Sequence, residues 1–267
     1  MKKALNRILK IGALLLPALA CLGFASPDQE AAFRKAQEAE YETVREAELK
    51  TEREAGREAA DTMAEQFYIT EITDGIFARI EGKSFKSSCT LPREELRYLH
   101  VLHKDKDGRT HEGEMIVNRH IAQDVLEILK ALYENGYPIE KIRLVDEYGA
   151  DDERSMADNN SSAFNFRNVS YSKTLSKHSL GMAVDINPLY NPYTKLVNGK
   201  RSIEPANGAP YLDRDAAFDY KLVKGDLCYR LFTEHGFTWG GEWTNSKDYQ
   251  HFEIPSDVIA RLYPGAR

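Results

Sequence analysis

Cysteine is scarce in this chain: Cys21, Cys89 and Cys228 are the three in 267 residues. Neither Cys89 nor Cys228 has the close-spaced Cys or His partner that a structural zinc knuckle requires. Positive charge is not in excess. Thirty-six Lys and Arg stand against 42 Asp and Glu, a net charge of -6, so the basic footprint of a nucleic-acid-binding protein is missing. The apolar run from Ile11 to Ala20 is interrupted by Pro17 and is too short for a comfortable membrane span. Between Pro27 and Gln66 large apolar residues are too sparse for a coiled-coil heptad, and no repeat is sustained. Asp105-x-Asp107-Gly108 opens like a calcium loop, but the later ligands are absent and a hairpin turn explains it.

What is present begins with an export signal over residues 1–25. Lys2, Lys3, Arg7 and Lys10 precede the apolar run, and small residues follow it. Two processing routes are open. Ala18-Leu19-Ala20 before Cys21 suits a lipoprotein signal, which would leave Cys21 acylated and the N-terminus attached to a membrane, although Ala18 stands where leucine is usual. Cleavage after Ala20 or Ala25 is the other. Both place the protein outside the cytoplasm, in the periplasm or cell envelope. An oxidising compartment favours a Cys89–Cys228 disulfide. That bridge would close a long loop, worth on the order of 4 kcal/mol in the chain-entropy model; two separate buried thiols are the alternative.

With 42% hydrophobic residues and 14 tyrosines the chain can build a packed core. Residues 26–66, rich in Ala, Glu, Arg and Lys, read as a charged helical spacer, with Glu30/Arg34 and Glu46/Lys50 spaced for helical ion pairs. The folded domain covers 67–267. Phe67 to Ile80 has the mixed apolar spacing of a helix interrupted at Gly75. Leu96–His103 and Thr110–Val117 flank a turn-rich cluster and read as a hairpin. Ile121 to Tyr133 keeps helical spacing, with Asn118 as its cap and Gly136 as its stop. Short strands follow at 142–145, 182–186 and 251–254, with a helix over 227–235 capped by Asp226. The pattern predicts an α+β fold: a single compact domain with a small antiparallel sheet flanked by helices.

The chemistry gathers near the C-terminus. Ser176-Lys177-His178-Ser179-Leu180-Gly181-Met182-Ala183-Val184-Asp185 offers a histidine and a carboxylate seven positions apart. A continuous strand would send an odd offset to opposite faces, but Gly181 permits a bend that lets them converge. Asp185 stands in an apolar run, where an unpaired carboxylate costs several kcal/mol and a bound cation would supply its partner. Asp248-Tyr249-Gln250-His251-Phe252-Glu253 adds a second histidine with an acid three residues before it. Two imidazoles and one carboxylate make a three-ligand zinc shell with an open fourth position, the mark of a catalytic zinc. Asp248 is the candidate base beside the ion. Glu253, on the same side of a strand as His251, is the competing acid or a partner that orients the ligand.

Both elements resemble the D-alanyl-D-alanine carboxypeptidase and L-alanyl-D-glutamate endopeptidase family of zinc peptidases. That family carries Ser-x-His-x-x-Gly-x-Ala-x-Asp followed by acid-x-x-His, with Glu or Asp as the acid. The resemblance implies one zinc ion on His178, Asp185 and His251, with Asp248 as general base. It extends over about 67–255 through Ser155-Met156, Asn159-Asn160 and Phe164-Asn165-Phe166-Arg167, and cysteines near Cys89 and Cys228 fit the same branch. The family's arginine, which steadies the developing oxyanion or grips a substrate carboxylate, falls on Arg167, with Arg154 as its rival. Asn160, Ser162 and Ser176 are candidates for binding the substrate's peptide groups. The implied reaction is hydrolysis of a peptide bond in peptidoglycan stem peptides, by removal of a terminal D-alanine or by a cut within the stem. A catalytically silent zinc domain that binds cell-wall peptide is the alternative, and the presence of Asp248 argues against it.

Overall fold

The structure is a computed structural model and describes residues 27–264. The expected export signal, with Cys21 as its possible site of acylation, falls outside the described residues. The chain divides after Thr62 into two units. The first is filled by helix α1 (Pro27–Gln66). Its Ala, Glu, Arg and Lys are strong helix formers, and among its described side chains the large apolar ones, Tyr41, Val44 and Leu49, stay exposed. Ion pairs run along its surface, Arg45 to Glu42 at 3.5 Å and Lys50 forward to Glu54 at 3.9 Å. No helix among the described residues is long and apolar enough to cross a membrane.

The second unit opens with strand β1 (Tyr68–Glu71) and helix α2 (Asp74–Ile80), not with the single helix that the apolar spacing suggests. Two local facts decide this. β1 finds a partner strand, and Thr73 Oγ1 accepts from Ile76 N to start α2 afresh. The hairpin forms as expected, β2 (Leu96–Lys104) with β3 (Thr110–Asn118). Helix α3 (Ala122–Glu134) follows and ends near Gly136 at φ +68. Asn118 does not cap it: its amide donates to Leu180 O at 2.8 Å, tying β3 to the site region. Then come β4 (Lys141–Ile142), helix α4 (Asp152–Ala157), β5 (Asn160–Ser161), β6 (Ala183–Asp185), β7 (Tyr193–Val197) and β8 (Lys200–Glu204). Helix α5 (Leu227–Glu234) is capped by Asp226, whose Oδ1 accepts from Tyr229 N at 2.7 Å. Strands β9 (Thr238–Trp239), β10 (Ser246–Asp248) and β11 (His251–Glu253) and helix α6 (Ser256–Leu262) close the unit. The architecture is α+β, with three small antiparallel sheets ordered β1-β2-β3, β10-β7-β8 and β6-β11-β9, and one short parallel pair, β4–β5.

The pleat of β2 and β3 sorts the core. Leu99, Val101, Met115 and Val117 turn to one face and join α3, α5 and Phe252 in the main cluster. Leu96, Tyr98 and Ile116 turn to the other face and meet Ile80, Phe164 and Phe166. This separation corrects the expected disulfide. Cys228 is enclosed in the main cluster, Cys89 packs against the second, and both are free thiols. The hairpin lies between them.

Candidate metal centre

β6 and β11 bring the site together by register. Asp185 pairs directly with His251, and Val184 with Phe252. Val184 and Phe252 bury in the core, where Phe252 stacks on Phe232 with centroids 4.2 Å apart. Alternation then sends Asp185 and His251 together to the opposite face. His178 arrives from a 3-10 turn, Lys177–Leu180, that Gly181 ends in the left-handed region at φ +64. The bend expected at this glycine is what folds the turn back over the strand.

Three donor atoms converge. His178 Nε2 lies 3.1 Å from His251 Nδ1 and 3.2 Å from Asp185 Oδ2, and His251 Nδ1 lies 2.9 Å from Asp185 Oδ1. All three side chains are buried, and their ligand atoms fall within 4.8 Å of one another. The outer ring nitrogens are occupied. His178 Nδ1–H donates to Ala163 O at 2.6 Å, and His251 Nε2–H donates to Glu253 Oε2 at 3.0 Å. Each imidazole is thereby held with its other nitrogen facing inward as an acceptor, the arrangement by which metal-binding histidines are oriented. Glu253 is itself fixed by Lys177 Nζ at 2.9 Å. Of its two sequence roles, partner to His251 is the one its position fits. The donor set and its spacing match a cation of the zinc class.

Burial pushes the Asp185 carboxyl up, but His178 and His251 outweigh it and hold it well below the usual carboxylate range. Burial pulls the His251 imidazolium down, and its bonds to Asp185 and Glu253 prevail, raising it to about 10. Both shifts have one cause: a buried carboxylate favours positive charge beside it. Asp248 differs. Burial and the neighbouring charges of Asp185 and Glu204 push it up to about 8, against the pull of His251 and Arg167. Its Oδ1 is enclosed without a hydrogen-bond partner among the described residues. An enclosed acceptor with no donor is costly unless something else meets it, and a water or substrate group beside the ion would do so.

Asp248 ends β10 and is held from behind. The chain passes Gly240 so closely that a Cβ there would lie 2.7 Å from both the Cβ and the carbonyl oxygen of Asp248. Trp239 Nε1 donates to Tyr249 O at 2.9 Å, and the Arg214 guanidinium covers the Tyr249 ring at 4.5 Å. Of the two tryptophans, Trp239 packs inward, whereas the Trp243 ring stands 5.4 Å from that of His251.

Residues 170–254 match the D-alanyl-D-alanine carboxypeptidase family. No curated protein and no solved structure gives a match. The matched span holds His178, Asp185, Asp248 and His251, and it supports a peptidase.

The other sequence candidates separate. Arg167 pairs with Asp152 at 2.6 Å, its Nε is enclosed without a partner among the described residues, and its charge reaches Asp248. Arg154 is exposed on α4 and reaches the Tyr148 carbonyl at 3.4 Å, so geometry favours Arg167. Asn160 is corrected. It is fully buried, its Oδ1 accepting from Arg143 N and its amide donating to Arg143 O and Ser155 Oγ, which leaves no group for substrate. Ser176 is likewise a cap, its Oγ accepting from His178 N at 3.3 Å. Ser162 brackets Asp185 through paired main-chain bonds of 3.1 and 2.8 Å. Sequence reasoning missed the β7–β8 hairpin beside Asp248, although Asn198-Gly199, at φ +51 and +77, is a strong hairpin signal.

Proposed function

We propose that this protein is an exported zinc peptidase that hydrolyses a peptide bond in peptidoglycan stem peptides, acting as a D-alanyl-D-alanine carboxypeptidase. The observation that carries the reading is the convergence of His178, Asp185 and His251, with Asp248 near enough to feel their charges and its Oδ1 enclosed without a hydrogen-bond partner among the described residues. The family match over 170–254 supports the peptidase chemistry, and the charged, apolar and small-residue order of the N-terminus supports export.

His178 Nε2, His251 Nδ1 and an Asp185 oxygen would hold the ion. Zinc, when bound, supplies Lewis acidity that polarises a carbonyl and lowers the pKa of water. Asp248 takes the proton of the attacking water and delivers it to the leaving amine, a role for which a carboxyl lifted toward neutrality is suited. Arg167, steadied by Asp152, offers positive charge to the oxygen on which negative charge develops. Glu253 and Lys177 keep His251 in its working tautomer.

The test uses full-length protein without its signal. It should bind about one zinc per chain and release D-alanine from muropeptides, read by mass spectrometry. Asp248→Ala should keep its zinc and lose turnover by about 10²- to 10⁴-fold. A zinc-loaded parent that leaves muropeptides intact would end the proposal.

A further inference from the structure

The sheet that delivers Asp248 also carries a cation on the same face. Asp248 pairs with Tyr193, and Tyr193 with Glu204; in the adjoining row Ser246 pairs with Lys195, and Lys195 with Ser202. Directly opposed residues share a face, as do residues two apart along a strand. Lys195 therefore stands one strand across and one row along from Asp248. A rise of about 6.8 Å for two residues and a strand spacing of about 4.8 Å separate their Cα atoms by roughly 8 Å.

Lys195 is half-buried, and its charge is poorly answered. Nζ donates to Ser170 O at 2.7 Å and lies 5.1 Å from the Tyr171 ring centroid and 5.6 Å from that of Tyr193. Among the described residues no carboxylate oxygen comes within 4.0 Å of it. Two other cations around the centre already pair with acids: Arg167 with Asp152 at 2.6 Å and Lys177 with Glu253 at 2.9 Å. Glu204, the acid on the same face, accepts from Ser170 Oγ at 2.6 Å. An ammonium has three donors, of which one is used here. Two ring faces and a carbonyl attract a cation but leave its charge unneutralised. The result is a receptor for an anion, carried on the sheet face that delivers the base and flanked by two tyrosines. Glu204 repels an anion from its own row and so favours the Lys195 position.

We propose that Lys195 receives the free C-terminal carboxylate of the peptide whose last bond is cut, an inference that rests on the peptidase reading. In such a substrate the carboxylate lies one residue beyond the scissile carbonyl, about 3.5 Å along an extended chain. The site then selects chain ends over internal bonds.

The experiment compares two N-acetylated peptides ending in D-alanyl-D-alanine, one with a free carboxylate and one with a C-terminal amide, on the zinc-loaded parent, Lys195→Met and Lys195→Arg. The parent should favour the free acid by about 10- to 100-fold in kcat/KM, the worth of one charge-assisted bond. Lys195→Met should lose that preference, chiefly through KM, and cut the amide as the parent does. Lys195→Arg should keep part of it. Binding of the free acid to zinc-loaded Asp248→Ala protein, with and without Lys195→Met, should show a similar ratio without turnover. A parent that cuts acid and amide equally overturns the assignment, as does a Lys195→Met variant that loses equally on both. A parent that binds zinc and cuts neither refutes the peptidase reading, and the role of Lys195 with it.

Discussion

Replacing Gly181 by alanine isolates the turn that delivers His178. Gly181 has φ +64 and ψ 22, donates to His178 O at 3.0 Å and accepts from Asn118 N at 2.9 Å. An alanine Cβ there would lie 2.6 Å from Asn118 N, 3.0 Å from Val117 C and 3.3 Å from Leu96 Cδ2. The first two are backbone atoms of a paired strand and cannot swing aside. Two costs follow. A left-handed backbone costs an L-residue about 1–2 kcal/mol. Forcing a methyl into a filled space adds about 1–3 kcal/mol. A total of about 3 kcal/mol lowers Tm by about 6–12 °C in a domain of this size. Gly136→Ala is the control: φ is +68, but nothing lies within 4 Å of its Cβ, so it bears the first cost alone. Thermal unfolding under chelator reads both variants, and competition with a chromophoric chelator reads zinc. Gly181→Ala should unfold well below Gly136→Ala and bind zinc at least about tenfold more weakly, the scale of a disturbed ligand support. Equal Tm values in the two variants, with equal zinc affinity, would refute the argument that this turn is built against β3.

Three further outcomes are expected. Glu253→Gln should weaken zinc about 10- to 100-fold by removing the charged acceptor of His251 Nε2; an unchanged affinity in a chelator titration would mean Glu253 does not orient the ring. Gly240→Ala should retain zinc yet lower kcat about 100-fold, because its Cβ would displace Asp248 by the order of an ångström; full turnover would mean the base tolerates displacement. Stability of the metal-free protein should fall with rising pH. The folded His251 holds its proton to about 10 against 6.5, so its contribution is complete below pH 6.5 and is lost through pH 10, at about 1.4 kcal/mol per unit between them. Asp248, raised from 3.8 to about 8, acts in the same direction between those values. Urea midpoints under chelator at pH 6, 8 and 10 should descend, and a rising series would contradict the sign.

The convergence of His178, Asp185 and His251 was legible because the chemistry of a candidate metal site restricts residue type and its spacing restricts geometry. Two histidines, an aspartate in an apolar strand and a glycine between them leave few other readings, and β6–β11 pairing realises them. Core alternation in β2 and β3 was legible for the same reason. Asn160 and Ser176 were not. A polar side chain beside a site looks the same in sequence whether it bonds to substrate or to main chain, and the partner of Asn160 at Arg143 comes from a separate strand segment. The thiols failed for a topological reason: compartment predicts that cysteines may pair, but only the faces of the hairpin decide whether Cys89 and Cys228 meet. β1 was hidden because four residues carry too little periodicity to outweigh the helical spacing around them.

Charge balance explains how one pocket tolerates so many buried ionisable groups. Both inward nitrogens and the Asp185 oxygens can act as acceptors, and the contacts between the three side chains are 2.9 to 3.2 Å. Lone pairs cannot face each other at that distance without a cation between them. Without metal, hydrogen bonds to Asp185 and Glu253 favour a proton on His251, and burial favours one on Asp248. A divalent ion entering the cluster brings two charges, and the loss of those two protons returns the pocket to its starting net charge. On the proposed function, the same exchange would leave both imidazoles free to ligate and Asp248 ionised, as a general base must be. Metal loading and activation of the base would then be one electrostatic event, consistent with an Asp248 Oδ1 that is enclosed with no donor among the described residues.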